Sequence, residues 1–111
     1  SILDKNQNSY QAHRLLAEIY EKEGGMRKAI DEYVQAVDLN KQDYDSYYKV
    51  AELLNNLDKK EEASEMLFNW LNKKPETYEA SILLGEILIN SEVYREAVNV
   101  YKEALRYNPI S

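Results

Sequence analysis

Apolar residues in this chain recur at helical intervals, and the pattern restarts several times. Leu15, Leu16, Ile19 and Tyr20 stand at i, i+1, i+4 and i+5, which is one face of a helix. Gly24-Gly25 interrupts that stripe, and glycine accepts the positive φ that a reversal needs. Met26, Ala29, Ile30, Tyr33, Val34 and Val37 then rebuild the stripe to about Asn40. The same reading predicts helices over 44–56 and 60–73, joined by Asn55-Asn56-Leu57-Asp58. It predicts two more over 77–90 and 94–107, joined by Asn90-Ser91-Glu92. Pro75 and Pro109 fall just beyond helix ends, where a missing N–H does least harm.

The restarts have a fixed period. Ala29, Ala63 and Ala97 stand 34 residues apart, and other columns agree on that spacing without insertion or deletion. Leu16, Val50 and Leu84 form one column, and Ala17, Ala51 and Gly85 form the next, small in every copy. Tyr20, Leu54 and Leu88 are bulky, as are Tyr33, Leu67 and Tyr101. Val37, Leu71 and Leu105 come near the end of each unit, followed by Lys41, Pro75 and Pro109.

This column set resembles the tetratricopeptide repeat. The third unit carries Leu84, Gly85, Leu88, Ala97, Tyr101, Ala104 and Pro109 in the family's positions. The first carries Leu16, Ala17, Tyr20, Ala29, Tyr33 and Ala36, with Lys41 in place of the proline. The resemblance covers residues 10–111 and implies an all-α fold, a right-handed α-solenoid of three helix-turn-helix repeats with six antiparallel helices. The repeats fall at 10–43, 44–77 and 78–111. Residues 1–9, whose Ile2–Gln7 aligns with Trp70–Pro75, are expected to be the tail and turn of a preceding repeat. The expectation is therefore a segment of a longer array.

Two columns depart from the family pattern. Trp70 stands where the other units have Ala36 and Ala104, and Ser81 stands where they have His13 and Tyr47. Either Trp70 fills the volume that Ser81 vacates, an exchange cores tolerate, or the columns have drifted independently.

Composition narrows the function. The chain of 111 residues has 20 acids against 14 bases, a formal charge of −6. That balance disfavours nucleic acid, whose binders displace counterions with basic stripes, and disfavours anionic membrane surfaces. The related pentatricopeptide family binds RNA, and the acidic wall described below argues against that role. No cysteine and a single histidine make sulfur- or imidazole-based metal sites improbable. Lack of cysteine is also compatible with a reducing cytoplasm. No apolar run approaches the ~20 residues that cross a bilayer.

No constellation supports catalysis, and no cofactor is expected. His13 sits in a packing column, Gly-rich phosphate loops and nucleophile elbows are missing, and Glu61-Glu62 diverge by about 100° on a helix. Those two acids read as first-turn residues complementing a helix dipole. Tyr10, Tyr44 and Tyr78 open the three units and read as a structural repeat. The chain reads as a binding protein and not an enzyme.

Relatives of this kind bind peptides in a concave groove walled by the first helix of each repeat. The resemblance places Gln11, Arg14, Glu18, Glu21 and Lys22 on that wall, then Asp45, Tyr48, Glu52, Asn55 and Asn56. From the third unit it places Glu79, Ile82, Glu86, Ile89 and Asn90 there. Glu18, Glu52 and Glu86 repeat one acid at one position, and Tyr48, Ile82 and Ile89 add apolar area. The expected partner is a basic, partly apolar peptide, with charge setting encounter and choice more than raw affinity. Helix surfaces that are merely solvated are the alternative, since glutamate is a good helix former. Relatives that clamp a chaperone's C-terminal carboxylate need cations and amides where this chain has Glu18, Glu79 and Leu83, so that role is disfavoured.

A second reading is self-association through a bare apolar face on the last helix, formed by Val98, Tyr101 and Leu105, giving a homo-oligomer. A third is that the segment spaces other domains.

Overall fold

The computed structural model describes the backbone of residues 2–108 and the side chains of residues 9–108. Six helices and no strand occur among the described residues: an all-α, helical-repeat fold. They are α1 (Ile2–Lys22), α2 (Met26–Leu39), α3 (Tyr44–Asn56), α4 (Lys60–Lys73), α5 (Tyr78–Asn90) and α6 (Tyr94–Tyr107). For α2 to α6 the predicted helices match these within a residue at each end. Pro109 lies outside the described residues.

The start of the chain differs from expectation. A turn was expected within residues 1–9, yet the backbone runs as one helix from Ile2 to Lys22. Residues 1–10 contain neither glycine nor proline, so the backbone meets no breaker before the Gly24-Gly25 pair.

Residues 1–57 and 58–111 form two compact units, divided at the turn between α3 and α4. In the first, α2 packs against both α1 and α3. Its core uses small residues for close approach: Ala17, Ala29, Ala36 and Ala51 are fully buried, beside Tyr33, Val50 and Leu53. Half-buried His13 and Glu32 tie α1 to α2, with Nδ1 2.7 Å from Oε1.

The α1–α2 turn closes with paired backbone bonds. Gly24 N–H donates to Glu21 O (3.0 Å) and Gly25 N–H to Tyr20 O (2.8 Å), around Gly24 at φ +82°. This satisfies two carbonyls that a helix end leaves orphaned. The α5–α6 turn repeats the arrangement through Glu92 N–H to Ile89 O (3.0 Å) and Val93 N–H to Leu88 O (2.8 Å). There the left-handed position holds Glu92 at φ +62°, and Asp58 takes the corresponding conformation at φ +64° after α3.

In the second unit, α5 packs against both α4 and α6. That central place explains why it buries Ala80, Ser81, Leu83, Leu84, Gly85, Ile87 and Leu88. Each large aliphatic side chain so removed from water contributes about 1.5–3 kcal/mol. Gly85 is forced by its neighbour, because a Cβ there would overlap the Tyr101 ring.

Trp70 does not fill the space above Ser81. Its Nε1 donates to Thr77 Oγ1 (2.9 Å), and that hydroxyl donates on to Lys74 O (2.8 Å), fastening the α4–α5 connection. A hollow of about 290 Å³ remains over Ser81, walled by Phe68, Leu71, Pro75 and Val100.

Candidate functional site

Helical spacing decides which side chains share a face. Arg14, Glu18 and Glu21 lie one above another on α1, as Asp45, Tyr48 and Glu52 do on α3. Side-chain contacts join the two rows within the first unit. Arg14 donates through Nη1 to Tyr10 Oη (3.2 Å) and lies over the Tyr10 ring at 5.9 Å. Its Nε and Nη2 each stand 3.9 Å from a carboxylate, Asp43 and Asp45 respectively. Burial alone would lower the Arg14 guanidinium, but the Tyr10 bond and the two aspartates outweigh it and hold it above its usual value.

Asp43 is almost wholly buried and has a second task. It is the N-cap of α3, with Oδ1 accepting from Ser46 N–H at 3.2 Å. Its position before Tyr44 is an N-cap signature, since aspartate satisfies an orphan amide there.

A second cluster is centred on Lys49. Its Nζ donates to Glu21 Oε2 across the helices (3.2 Å) and to Glu52 Oε1 on its own helix (3.4 Å). Tyr33 Oη from α2 donates to the other Glu21 oxygen (2.8 Å). Desolvation would lower the Lys49 ammonium, but the hydrogen bond to Glu21 and the charge of Glu52 raise it overall. Burial first, and then the bond to Glu21, pushes the Tyr33 phenol well above 10.

Glu52 is thus half-buried and paired, and Glu18 is exposed with no ion pair among the described residues. Tyr48 is half-buried, its ring 5.8 Å from that of Tyr44. The sequence reading did not assign Lys49 or Asp43 to this face. The Lys49–Glu52 spacing was a local signal for one of them. The Glu21 and Arg14 bridges join separate helices and leave no such trace.

In the second unit, Glu79, Ile82, Glu86 and Ile89 lie along one stripe of α5, at i, i+3, i+7 and i+10. Glu79, Glu86 and Ile89 are exposed and Ile82 is half-buried. The helix contains no lysine or arginine, so it offers these carboxylates no cation of its own. On α6, Val98 and Leu105 are about half exposed, at 49% and 52%. Tyr101, expected beside them, instead turns its ring toward Gly85 and is half-buried.

Among the described residues there is no cluster of three or more His, Cys, Asp or Glu suited to a metal ion. No helix among them is long and apolar enough to cross a membrane.

Tetratricopeptide-repeat profiles match residues 10–43 and 80–109. Among solved structures, MamA is similar at 25% identity and a TM-score of 0.79, over 89% of this chain and 54% of that one. MamA from Desulfovibrio magneticus RS-1 (residues 41 to the end) matches at 20% identity and a TM-score of 0.81, over 91% and 57%. The Arabidopsis OM64 TPR domain matches at 19% identity and a TM-score of 0.78, over 94% and 86%. This chain spans about half the length of the MamA chains. No curated protein sequence matches it. Proteins of this fold bind other proteins or peptides and are typically non-catalytic scaffolds. By its repeat profiles, its columns and its helices, the chain belongs to the tetratricopeptide-repeat family.

Proposed function

We propose that the chain is an interaction scaffold whose first-helix faces take a basic, partly apolar peptide segment. The observation that carries this is the α5 stripe, where Glu79 and Glu86 alternate with Ile82 and Ile89 and no base lies on the same helix. Apolar side chains about 10 Å apart, the rise of two helical turns, with Lys or Arg between, complement that order. In the first unit Glu18 is the carboxylate left for a partner, because Lys49 holds Glu21 and Glu52. Exposed charges of this kind set encounter rate and partner choice more than affinity. The same reading divides the chain into repeats at 10–43, 44–77 and 78–111. It is supported by the left-handed residues Gly24, Asp58 and Glu92, which recur at the repeat period.

The test is retention of a partner by the chain and by two variants, at low and moderate salt. Glu79→Gln with Glu86→Gln should lose the partner, and the native complex should weaken as salt rises. Glu65→Gln, an exposed control on α4, should bind as the native chain does. Equal retention by the α5 variant refutes this face.

One observation favours a second reading, self-association: Val98 and Leu105 are exposed on α6 beside Tyr94, which is 58% exposed. Mass that rises with concentration, and falls back on Leu105→Glu, would support it. A concentration-independent mass would refute it.

A further inference from the structure

The hollow over Ser81 is the place of a missing ring. In the first repeat the same position holds His13, whose ring reaches Glu32 on the following helix. In the second it holds the half-buried Tyr47. Glu32 corresponds at the 34-residue period to Val100, which forms one wall of the hollow. Ser81 therefore stops short of the space that the His13 ring enters in its own repeat, and its hydroxyl turns back to Thr77 O at 3.4 Å. The acceptor that His13 meets has become an apolar valine, so the space suits a hydrocarbon ring better than an imidazole.

Size and charge define the occupant. At about 290 Å³ the hollow lies at the bottom of the range of small-ligand pockets, roughly 300–1,000 Å³. That is room for one aromatic side chain. Phe68, 39% exposed, stands beside it as a ready partner for ring contact. The ionisable residues lining it are Glu96 and Glu103, with no lysine or arginine among the lining residues. Glu103 is shared with Arg106 (3.5 Å), whereas Glu96 has no ion pair among the described residues.

We propose that the Ser81 hollow is a second docking site, which receives an aromatic side chain flanked by lysine or arginine from a partner polypeptide. Its walls come from α4, from Pro75 beyond it and from α6, and α5 contributes only Ser81, so it shares no lining residue with the acidic stripe on α5. The ring replaces water over Leu71 and Val100, and the flanking cation meets Glu96.

The probe is the peptide acetyl-Lys-Trp-Lys-amide, titrated into the isotopically labelled chain and followed by amide chemical shifts. Saturable shifts at Phe68, Leu71, Asn99 and Val100 are expected, with none there from acetyl-Lys-Ala-Lys-amide. Ser81→Tyr, which restores the ring found in the second repeat, should abolish those shifts and raise Tm. Glu96→Gln with Glu103→Gln should weaken binding roughly threefold. This pair lies at exposed positions and carries the test should Ser81→Tyr fail to melt cooperatively. Three results would overturn the proposal: unchanged binding by Ser81→Tyr, equal shifts from the alanine peptide, or free indole binding as tightly as the tryptophan peptide. Shifts confined to the α5 stripe would also overturn it, while leaving the first site standing.

Discussion

The Tyr101 ring lies directly against the α-carbon of Gly85, so that any Cβ at position 85 would overlap Cζ and Cε1 of the ring. The first repeat has Ala17 with Tyr33, and tolerates it because the Tyr33 hydroxyl is drawn to Glu21. The corresponding position in the third repeat is Ile89, which offers no acceptor. Gly85→Ala should therefore destabilise the chain by about 1–3 kcal/mol through overpacking, although alanine is the better helix former by ~1 kcal/mol. Adding Tyr101→Leu, which recreates the Ala51 and Leu67 pairing of the second repeat, should recover part of the loss. Chemical denaturation of the three variants decides it, and a Gly85→Ala chain more stable than the native one would refute the close contact.

Glu92 and Asp58 hold left-handed backbone where the first repeat has Gly24. A left-handed L-residue costs roughly 1–2 kcal/mol, and glycine removes that strain while loosening the unfolded chain. Glu92→Gly should raise stability by about 0.5–1 kcal/mol, and Gly24→Ala should lower it. Thermal melts of these two variants should shift Tm in opposite directions.

Lys49 and Tyr33 converge on the two oxygens of Glu21. Tyr33→Phe leaves one carboxylate oxygen with a partner lost and should cost about 0.5–1.5 kcal/mol. The combined Tyr33→Phe and Lys49→Met chain should depart from additivity, since both act on one carboxylate. A double-mutant cycle with no coupling would show that the two bonds are independent.

Alkaline pH should unfold the chain earlier than its acidic composition suggests. Burial raises the Tyr33, Tyr47 and Tyr101 phenols above their ordinary value of 10.0, and Glu21 adds to the rise at Tyr33. The fold favours each neutral phenol, so this stabilisation is complete below pH 10 and is lost as pH climbs from there through the folded values. Lys49, also raised, gives the same sign as its ion pairs with Glu21 and Glu52 discharge, whereas the Arg14 guanidinium stays charged throughout. Stability measured by denaturation should be flat from these groups between pH 7 and about 9, then fall. Tyr33→Phe should make the fall shallower.

The local sequence specified the helices and their ends almost to the residue, because apolar spacing, glycine and the 34-residue columns are all properties of neighbours along the chain. Its failures were also local. Residues 1–9 align with the helix tail and turn of a preceding repeat, yet nothing in residues 2–9 breaks the helix. The Trp70–Ser81 exchange failed as an account of volume because the indole is held by a hydrogen bond to Thr77. Columns of a repeat do not say which way a ring points.

Sequence alone determined the family, the helix order and which residues share each helix face, since a period of 3.6 fixes those regardless of packing. It also placed the acids. Only the tertiary structure decided which acids are already neutralised, because Arg14–Asp45 and Lys49–Glu21 join residues of different helices. It likewise decided that Tyr101 turns inward over Gly85 and that a ring-sized hollow stays open above Ser81. Those outcomes depend on distances between elements, and periodicity along one helix carries no information about the next.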